Sequence, residues 1–172
     1  MSKEHPIIFG IDPGTRITGY GVIQVTARGL CVLDFGCIRP PPELDTAPKY
    51  FALFSALQTL LTKHTPDYVA VETQFICKNV QSAMKLGKAQ AAALIAAAQL
   101  NIPVYEFAPK QAKRATTGNG SASKSQVQRM VQLLLHLPHL PEPEDAADAL
   151  ALAICLANVL KYKLCTPTSK AS

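Results

Sequence analysis

The chain has 172 residues, of which 48% are hydrophobic and 17% are charged, and its formal net charge is +5. This balance is typical of a globular protein and excludes a disordered chain, and the length predicts one domain over residues 1–172 with a loose tail after about residue 162. No stretch is long and apolar enough to predict a membrane span. Five cysteines without CxxC spacing predict reduced, mostly buried thiols in a cytoplasmic protein.

The positive charge is concentrated in the middle of the chain. Between Ile76 and Met130 there are eight basic residues and one acidic residue, Glu106, whereas the rest of the chain has nine basic and eleven acidic residues. This polarity favours a polyanionic partner. Charge alone fits a set of solvated helix faces equally well.

The N-terminal half predicts a sheet interrupted by one helix. The apolar run Ile7–Asp12 ends in Pro-Gly and is typical of a buried strand. Two β-rich segments, Thr18–Thr26 and Leu30–Arg39, fit a hairpin. Apolar residues at helical spacing then predict a helix from Pro48 to about Thr65, and Asp67–Glu72 predicts a second buried strand.

The C-terminal half predicts helices around one further strand. In chain order we expect a long Ala-rich helix, a short strand, a short helix and two longer helices: Gln81–Leu100, Pro103–Phe107, Pro109–Thr116, Lys124–Leu137 and Glu144–Tyr162. The whole order predicts an α/β fold in which helices cover a mixed sheet.

Four carboxylates lie where these apolar segments begin or end. Asp12 and Glu72 end buried strands, and Asp145 and Asp148 begin the last helix. Unpaired charges are costly to bury, and a divalent metal ion would bind the oxygen ligands and cancel their repulsion. Strand ends and the start of that helix can meet in one cleft. The pattern therefore predicts a site for metal-dependent phosphodiester cleavage, with two cations bridged by the carboxylates.

Most of these carboxylates also have a structural explanation. Asp145 and Asp148 share one helix face, where acids complement the helix dipole, and Asp12 precedes the turn-forming Pro-Gly. Glu72 has the weakest such explanation, because the residues that follow it are no turn signature. The four histidines lie near element ends and are predicted at the surface: His5, His64, His136 and His139.

An aromatic residue and a lysine follow the second buried strand. Phe75 is either a core residue or a wedge that stacks on bases beside the carboxylates, with Lys78 on a phosphate. The sequence leaves both interpretations open.

Seven short motifs, found in order between about Ile7 and Leu156, resemble the RuvC Holliday-junction resolvases. The GIDPG motif alone is shared with other RNase H-like proteins, whereas the ordered set ending in DAADALA is specific. The motifs are Gly10–Arg16, Thr18–Gly21, Glu72–Phe75, Lys85–Gly87, Gly120–Ala122, Lys124–Val127 and Asp145–Ala151.

The resemblance implies an RNase H-like fold with a mixed five-stranded sheet flanked by helices. It implies Mg²⁺-dependent, symmetric nicking of four-way junction DNA that leaves 5′-phosphate and 3′-hydroxyl ends, with two ions per subunit and Mn²⁺ as a substitute. The catalytic and metal-binding residues would be the four carboxylates, and Phe75, Lys113 and Lys124 would contact DNA. The implied partners are a second copy of the chain and the RuvA–RuvB branch-migration complex.

Two other functions compete with this interpretation. A junction-binding protein without nuclease activity would share the basic surface, and an actin-like ATPase would share the Asp-Pro-Gly-Thr loop but needs a second lobe that one small domain lacks. Dimerisation has an independent argument, because symmetric cutting of two strands needs two carboxylate clusters. The Ala-rich face of Met84–Leu100 would allow close helix approach at such an interface.

Overall fold

The computed structural model describes residues 4–73 and 79–165, and it contains every predicted strand and helix. No helix in these two ranges is long and apolar enough to cross a membrane. The strands are β1 (Ile7–Asp12), β2 (Thr18–Thr26), β3 (Gly29–Ile38), β4 (Tyr68–Glu72) and β5 (Val104–Phe107). The helices are α1 (Thr46–His64), α2 (Val80–Gln99), α3 (Pro109–Thr117), α4 (Lys124–Leu134) and α5 (Glu144–Cys165).

The sheet has five strands in the order β3-β2-β1-β4-β5. Strands β1, β2 and β3 pair antiparallel, whereas β1, β4 and β5 pair parallel. This arrangement confirms the predicted mixed sheet flanked by helices. Because β1 and β4 are parallel neighbours, the residues at their carboxyl ends lie at the same edge of the sheet.

A hydrophobic core fills each face of the sheet. On one face, Phe9, Ile11 and Val22 pack with apolar residues of α1 and α2. On the other face, Ile8 and Ile23 pack with residues of α3, α4 and α5. The alternation of strand side chains thus sends Phe9 and Ile11 to one core and Ile8 to the other.

Glycines in the sheet allow α5 to lie directly on it. Gly10 and Gly21 are cross-strand neighbours. A Cβ at Gly10 would lie 2.0 Å from the Ala149 carbonyl oxygen, and a Cβ at Gly21 would lie 2.7 Å from the Leu150 side chain. Only glycine permits so close an approach of helix and sheet.

The predictions for one helix end and for one histidine are wrong. Helix α4 ends at Leu134 rather than Leu137, because His136 has a left-handed φ of 51° and cannot continue the helix. His64 is not a surface residue, since its side chain is 10% exposed and its Nε2 lies 2.8 Å from Asp34 Oδ2. Cys155 is buried but Cys31 is exposed, and Cys31, Cys37 and Cys155 are free thiols.

Candidate active site

Asp12 and Glu72 lie side by side at the carboxyl edge of the sheet. Ile11 of β1 pairs with Val71 of β4, and the two carboxylates directly follow these paired residues. Both side chains are partly buried. Pairing therefore places two acids that are 60 residues apart in the chain at the floor of one cleft.

The first two turns of α5 bring Asp145 and Asp148 to the same cleft. Gly19 is the cross-strand neighbour of Asp12, and a Cβ there would lie 1.9 Å from the Asp145 carbonyl oxygen. The helix start can rest on β2 only because this residue has no side chain. The Asp148 side chain is 21% exposed.

All four predicted carboxylates line one cavity of about 540 Å³. Lys113 of α3 and Lys124 of α4 line it as well, so the structure brings these predicted DNA contacts together with the carboxylates. Phe75 and Lys78 lie outside the described residues, and their assignment stays a prediction. Ser82 and Leu86 of α2 also border the cavity; Ser82 lies outside all seven motifs, and Leu86 lies in the Lys85–Gly87 motif.

Burial and neighbouring acids both disfavour the charged form of Asp12. Burial raises its pKa well above the usual range, and repulsion from Glu72, Asp148 and Asp145 raises the pKa further. Lys124 opposes this shift only in part. The cavity therefore concentrates more negative charge than its own cations neutralise.

Lys124 lies between two acids at the start of α5. Its Nζ is 3.6 Å from Asp148 Oδ2 and 3.7 Å from Glu144 Oε2. Burial alone would lower the pKa of Lys124, but Asp148 and Glu144 raise it, so the ammonium stays protonated. Burial also raises the pKa of Asp148, and Lys124 counteracts that rise. Sequence reasoning missed the contact with Glu144.

Cys37 is a second neighbour that the sequence did not reveal. It pairs with Gly19 across β2 and β3, which places its thiol next to the start of α5. Burial and the nearby Asp145 raise the pKa of Cys37 to about 11, so the thiol remains protonated at neutral pH. Its place depends on strand register, which no motif encodes.

The donor set fits a hard divalent cation, although it is not a closed cage. Carboxylate oxygens are the ligands that Mg²⁺ and Mn²⁺ prefer. Within residues 4–73 and 79–165, no three acidic, His or Cys side chains already converge as a preformed metal-binding group.

The sequence from residue 8 to residue 156 matches the family model described as "Crossover junction endodeoxyribonuclease RuvC". The chain belongs to the RuvC family. It is 53% identical to the RuvC of Protochlamydia amoebophila over 153 residues, which is 89% of this chain and 91% of that protein. It is 46% identical to the RuvC of Vibrio cholerae over 155 residues, which is 90% of this chain and 88% of that protein.

Solved RuvC structures have the same fold. The structure of T. thermophilus RuvC in complex with a Holliday junction substrate matches with a TM-score of 0.86 and 33% sequence identity, over 92% of this chain and 96% of that chain. The mixed sheet and its helices are therefore an RNase H-like fold of the RuvC type. As a RuvC, the protein is an endodeoxyribonuclease of the crossover-junction class.

Proposed function

We propose that this RuvC resolves Holliday junctions by Mg²⁺-dependent, symmetric nicking of two opposed strands, and that Asp12, Glu72, Asp145 and Asp148 are its catalytic, metal-binding residues. The observation that carries this assignment is the common cavity lined by all four carboxylates. Burial, followed by repulsion from the other three acids, raises the pKa of Asp12, and both effects support a site suited to holding cations. Two Mg²⁺ ions per subunit, replaceable by Mn²⁺, suit four oxygen-donor side chains.

The residues of the cavity have different roles in an in-line displacement at a scissile phosphate. Bound divalent cations would supply charge stabilisation for the phosphate and an activated water. Asp12 and Glu72, fixed on paired strands, would hold these cations at the sheet edge. Lys113 and Lys124 line the same space and attract the phosphate oxygens, which helps to position the phosphate. Cleavage into 5′-phosphate and 3′-hydroxyl ends follows from the family resemblance.

We also propose that the enzyme acts as a homodimer through α2. The Ala-rich face that the sequence predicts at the interface is buried within the chain, because it packs against α1 and the sheet. The opposite face is apolar and exposed: Val80 is 75% exposed, Met84 60% and Ile95 59%. Gly87 lies on the same face, and a Cβ added there would have nothing within 4 Å, which would suit a closely approaching second helix.

The remaining proposals concern the setting in which the enzyme works. We propose a cytoplasmic location, which the free thiols Cys31, Cys37 and Cys155 support. Cooperation with a RuvA–RuvB branch-migration complex follows from the family resemblance. Co-sedimentation of the three purified proteins on a synthetic junction would test that cooperation, and separate sedimentation would contradict it.

The decisive experiment is a denaturing gel of a labelled synthetic four-way junction with and without Mg²⁺. Paired symmetric nicks that require Mg²⁺ are expected from the wild type. Asp12→Asn should lower nicking by about 10³-fold or more while junction binding remains, because it removes a ligand charge and no basic residue.

Asp45 offers a matched control for that variant. It is exposed at the start of α1, its side chain makes no capping hydrogen bond, and it lies outside the cavity. Asp45→Asn should nick like the wild type. Retained nicking by Asp12→Asn would refute the carboxylate assignment, and a wild type that binds junctions without nicking at any Mg²⁺ concentration would favour the junction-binding alternative.

A further inference from the structure

A second cavity lies on the other side of α3 from the carboxylates. It measures about 480 Å³, and we call it the basic groove; its lining is Lys110, Gln111, Arg114, Gly118, Asn119 and Gly120. Helix α3 is the wall between the two cavities, because Pro109, Ala112 and Lys113 line the carboxylate cavity.

The groove holds two cations and no acid. Lys110 and Arg114 are exposed and are separated by one helical turn, about 6 Å along the helix axis, so their side chains are neighbours. Neither forms an ion pair with any residue that the structure describes. Like charges at this spacing destabilise a helix, so the pair is better explained by an anionic ligand than by folding.

The floor of the groove is fixed before any ligand binds. The Gly118 N–H donates to the Arg114 carbonyl at 2.9 Å, and Gly118 has a left-handed φ of 75° that suits glycine. Asn119 Oδ1 accepts a hydrogen bond from the Ser121 N–H at 2.9 Å. A Cβ at Gly120 would lie 3.3 Å from the Lys110 carbonyl oxygen, so the loop packs closely on the start of α3.

We propose that the basic groove binds the sugar–phosphate backbone of a junction arm, at a phosphate other than the one that is cleaved. The proposal rests on the DNA substrate of the function proposed above. Lys113 lines the carboxylate cavity, whereas Lys110 and Arg114 line the groove. The proposal therefore gives the Lys110–Arg114 pair a phosphate outside the carboxylate cavity.

This placement predicts an effect on binding rather than on chemistry. A contact made equally in the ground state and the transition state changes the apparent affinity and leaves the saturated rate nearly as it was. Contacts to phosphates also make affinity depend on salt, with a slope of about 0.9 per neutralised phosphate on B-DNA.

The test compares two double variants that each remove one lysine and one arginine. Lys110→Ala with Arg114→Ala empties the groove of charge. Arg28→Ala with Lys161→Ala is the control, because both residues are exposed at the end of the sheet opposite the carboxylates, at the β2–β3 turn and near the end of α5. Junction affinity is measured against salt concentration in EDTA, where no nicking interferes.

We expect the groove variant to bind about 10-fold more weakly near physiological salt, with the slope of log affinity against log salt reduced by about 2. The control should reduce neither quantity to that extent. In single-turnover nicking, the half-saturating protein concentration of the groove variant should rise about 10-fold while its saturated rate falls less than about threefold. Equal slopes for the groove and control variants would overturn the proposal, as would a loss confined to the saturated rate.

Two further measurements keep the outcome unambiguous. Lys110→Gln with Arg114→Gln retains the polar side chains, and its melting temperature shows whether a binding loss reflects folding. Replacing single junction phosphates by neutral methylphosphonates should reveal a position that weakens the wild type but not the groove variant. If that position is the scissile phosphate alone, the groove is not a separate subsite and the proposal fails.

Failure of this proposal is distinguishable from failure of the proposed function. Wild-type nicking in Mg²⁺ tests the nuclease and does not depend on the groove. The salt comparison in EDTA tests the groove and does not depend on the carboxylates.

Discussion

On one face of the sheet α5 lies directly on glycines, whereas on the other face large side chains hold α1 and α2 away from the strands. Gly10, Gly19 and Gly21 underlie α5, and their missing side chains let backbone approach backbone. On the opposite face, Phe9, Ile11 and other bulky residues fill the space beneath the helices.

The two constructions suit two different tasks. Direct contact fixes the start of α5 relative to β1 and β2, so Asp145 and Asp148 are held beside Asp12 with little freedom. Packing through side chains leaves the outer side of α2 available, and that side exposes Val80, Met84 and Ile95. We infer that the first face positions the chemistry and the second supports association.

Adding one methyl group under α5 should displace the start of that helix and the carboxylates that it carries. In Gly19→Ala, the new Cβ would meet the Asp145 carbonyl oxygen at 1.9 Å, so the helix start must move. We expect nicking to fall at least about 100-fold and the free energy of unfolding to fall by about 2–4 kcal/mol. Single-turnover nicking and urea unfolding measure the two effects.

Gly29→Ala is the control for Gly19→Ala, because it should lower stability without moving the carboxylates. Gly29 has a φ of 128°, which strains alanine, but nothing lies within 4 Å of its Cβ position and it is far from the carboxylates. It should lose about 1 kcal/mol of stability and keep its nicking rate. Normal nicking by Gly19→Ala would contradict the role of the glycine face.

A charge on the exposed side of α2 should weaken the proposed dimer contact. Met84→Asp places a carboxylate in the proposed helix–helix contact, where desolvation would weaken dimerisation by about 3 kcal/mol, or more than 100-fold. Sedimentation analysis measures the association, and junction gels should show single nicks in place of paired ones. Leu133→Asp is the control, because Leu133 is 64% exposed on α4 and lies outside α2. Equal dimerisation by the Met84 and Leu133 variants would place the interface elsewhere.

When no cation is bound, the carboxylate cavity should lower the free energy of unfolding of the protein. The native pKa of Asp12 is raised, so the native state binds a proton more tightly than the unfolded chain, whose Asp pKa is about 3.9. Stability contributed by protonated Asp12 is therefore lost as pH rises from about 4 through the raised native pKa. In EDTA at pH 7, Asp12→Asn should be more stable than the wild type by about 1 kcal/mol.

The stability gain of Asp12→Asn should depend on pH and on Mg²⁺, and both dependences can be measured. The gain should disappear below about pH 4, where Asp12 is protonated in both states. Mg²⁺ should stabilise the wild type more than the variant, because a ligand of the native state is removed. Asp45→Asn should show neither effect, and a gain for Asp12→Asn that is independent of pH would contradict the electrostatic origin.

Local sequence signals predict the elements and the four acids that line one cavity, but not what surrounds those acids. The apolar run before Asp12 and the helical spacing after Asp145 predict their segments correctly. In contrast, Cys37 reaches the site through its register with Gly19, and Glu144 through a contact with Lys124. Such neighbours depend on strand pairing and helix packing, which a single sequence does not display.

The burial of His64 and the end of α4 are two further features that local sequence signals do not predict. His64 has an unremarkable sequence context, yet the packing of α1 on the sheet brings it within 2.8 Å of Asp34 on β3. The left-handed His136 ends α4 before Pro138, where the sequence pattern predicts the break. The motifs therefore indicate candidate site residues, whereas tertiary contacts decide which residues surround them.

The smallest expected effect comes from Gly87, on the exposed side of α2, and it tests whether a second chain packs there. Gly87 is exposed in the middle of α2, and in one chain a Cβ there would touch nothing within 4 Å. In the monomeric Met84→Asp background, Gly87→Ala should therefore raise the free energy of unfolding by about 0.5–1 kcal/mol, since alanine is the better helix former. In the otherwise wild-type chain the same change should weaken dimerisation, because the methyl group would separate the two helices. Urea unfolding and sedimentation measure these opposite signs, and a gain in both would mean that α2 meets no partner at Gly87.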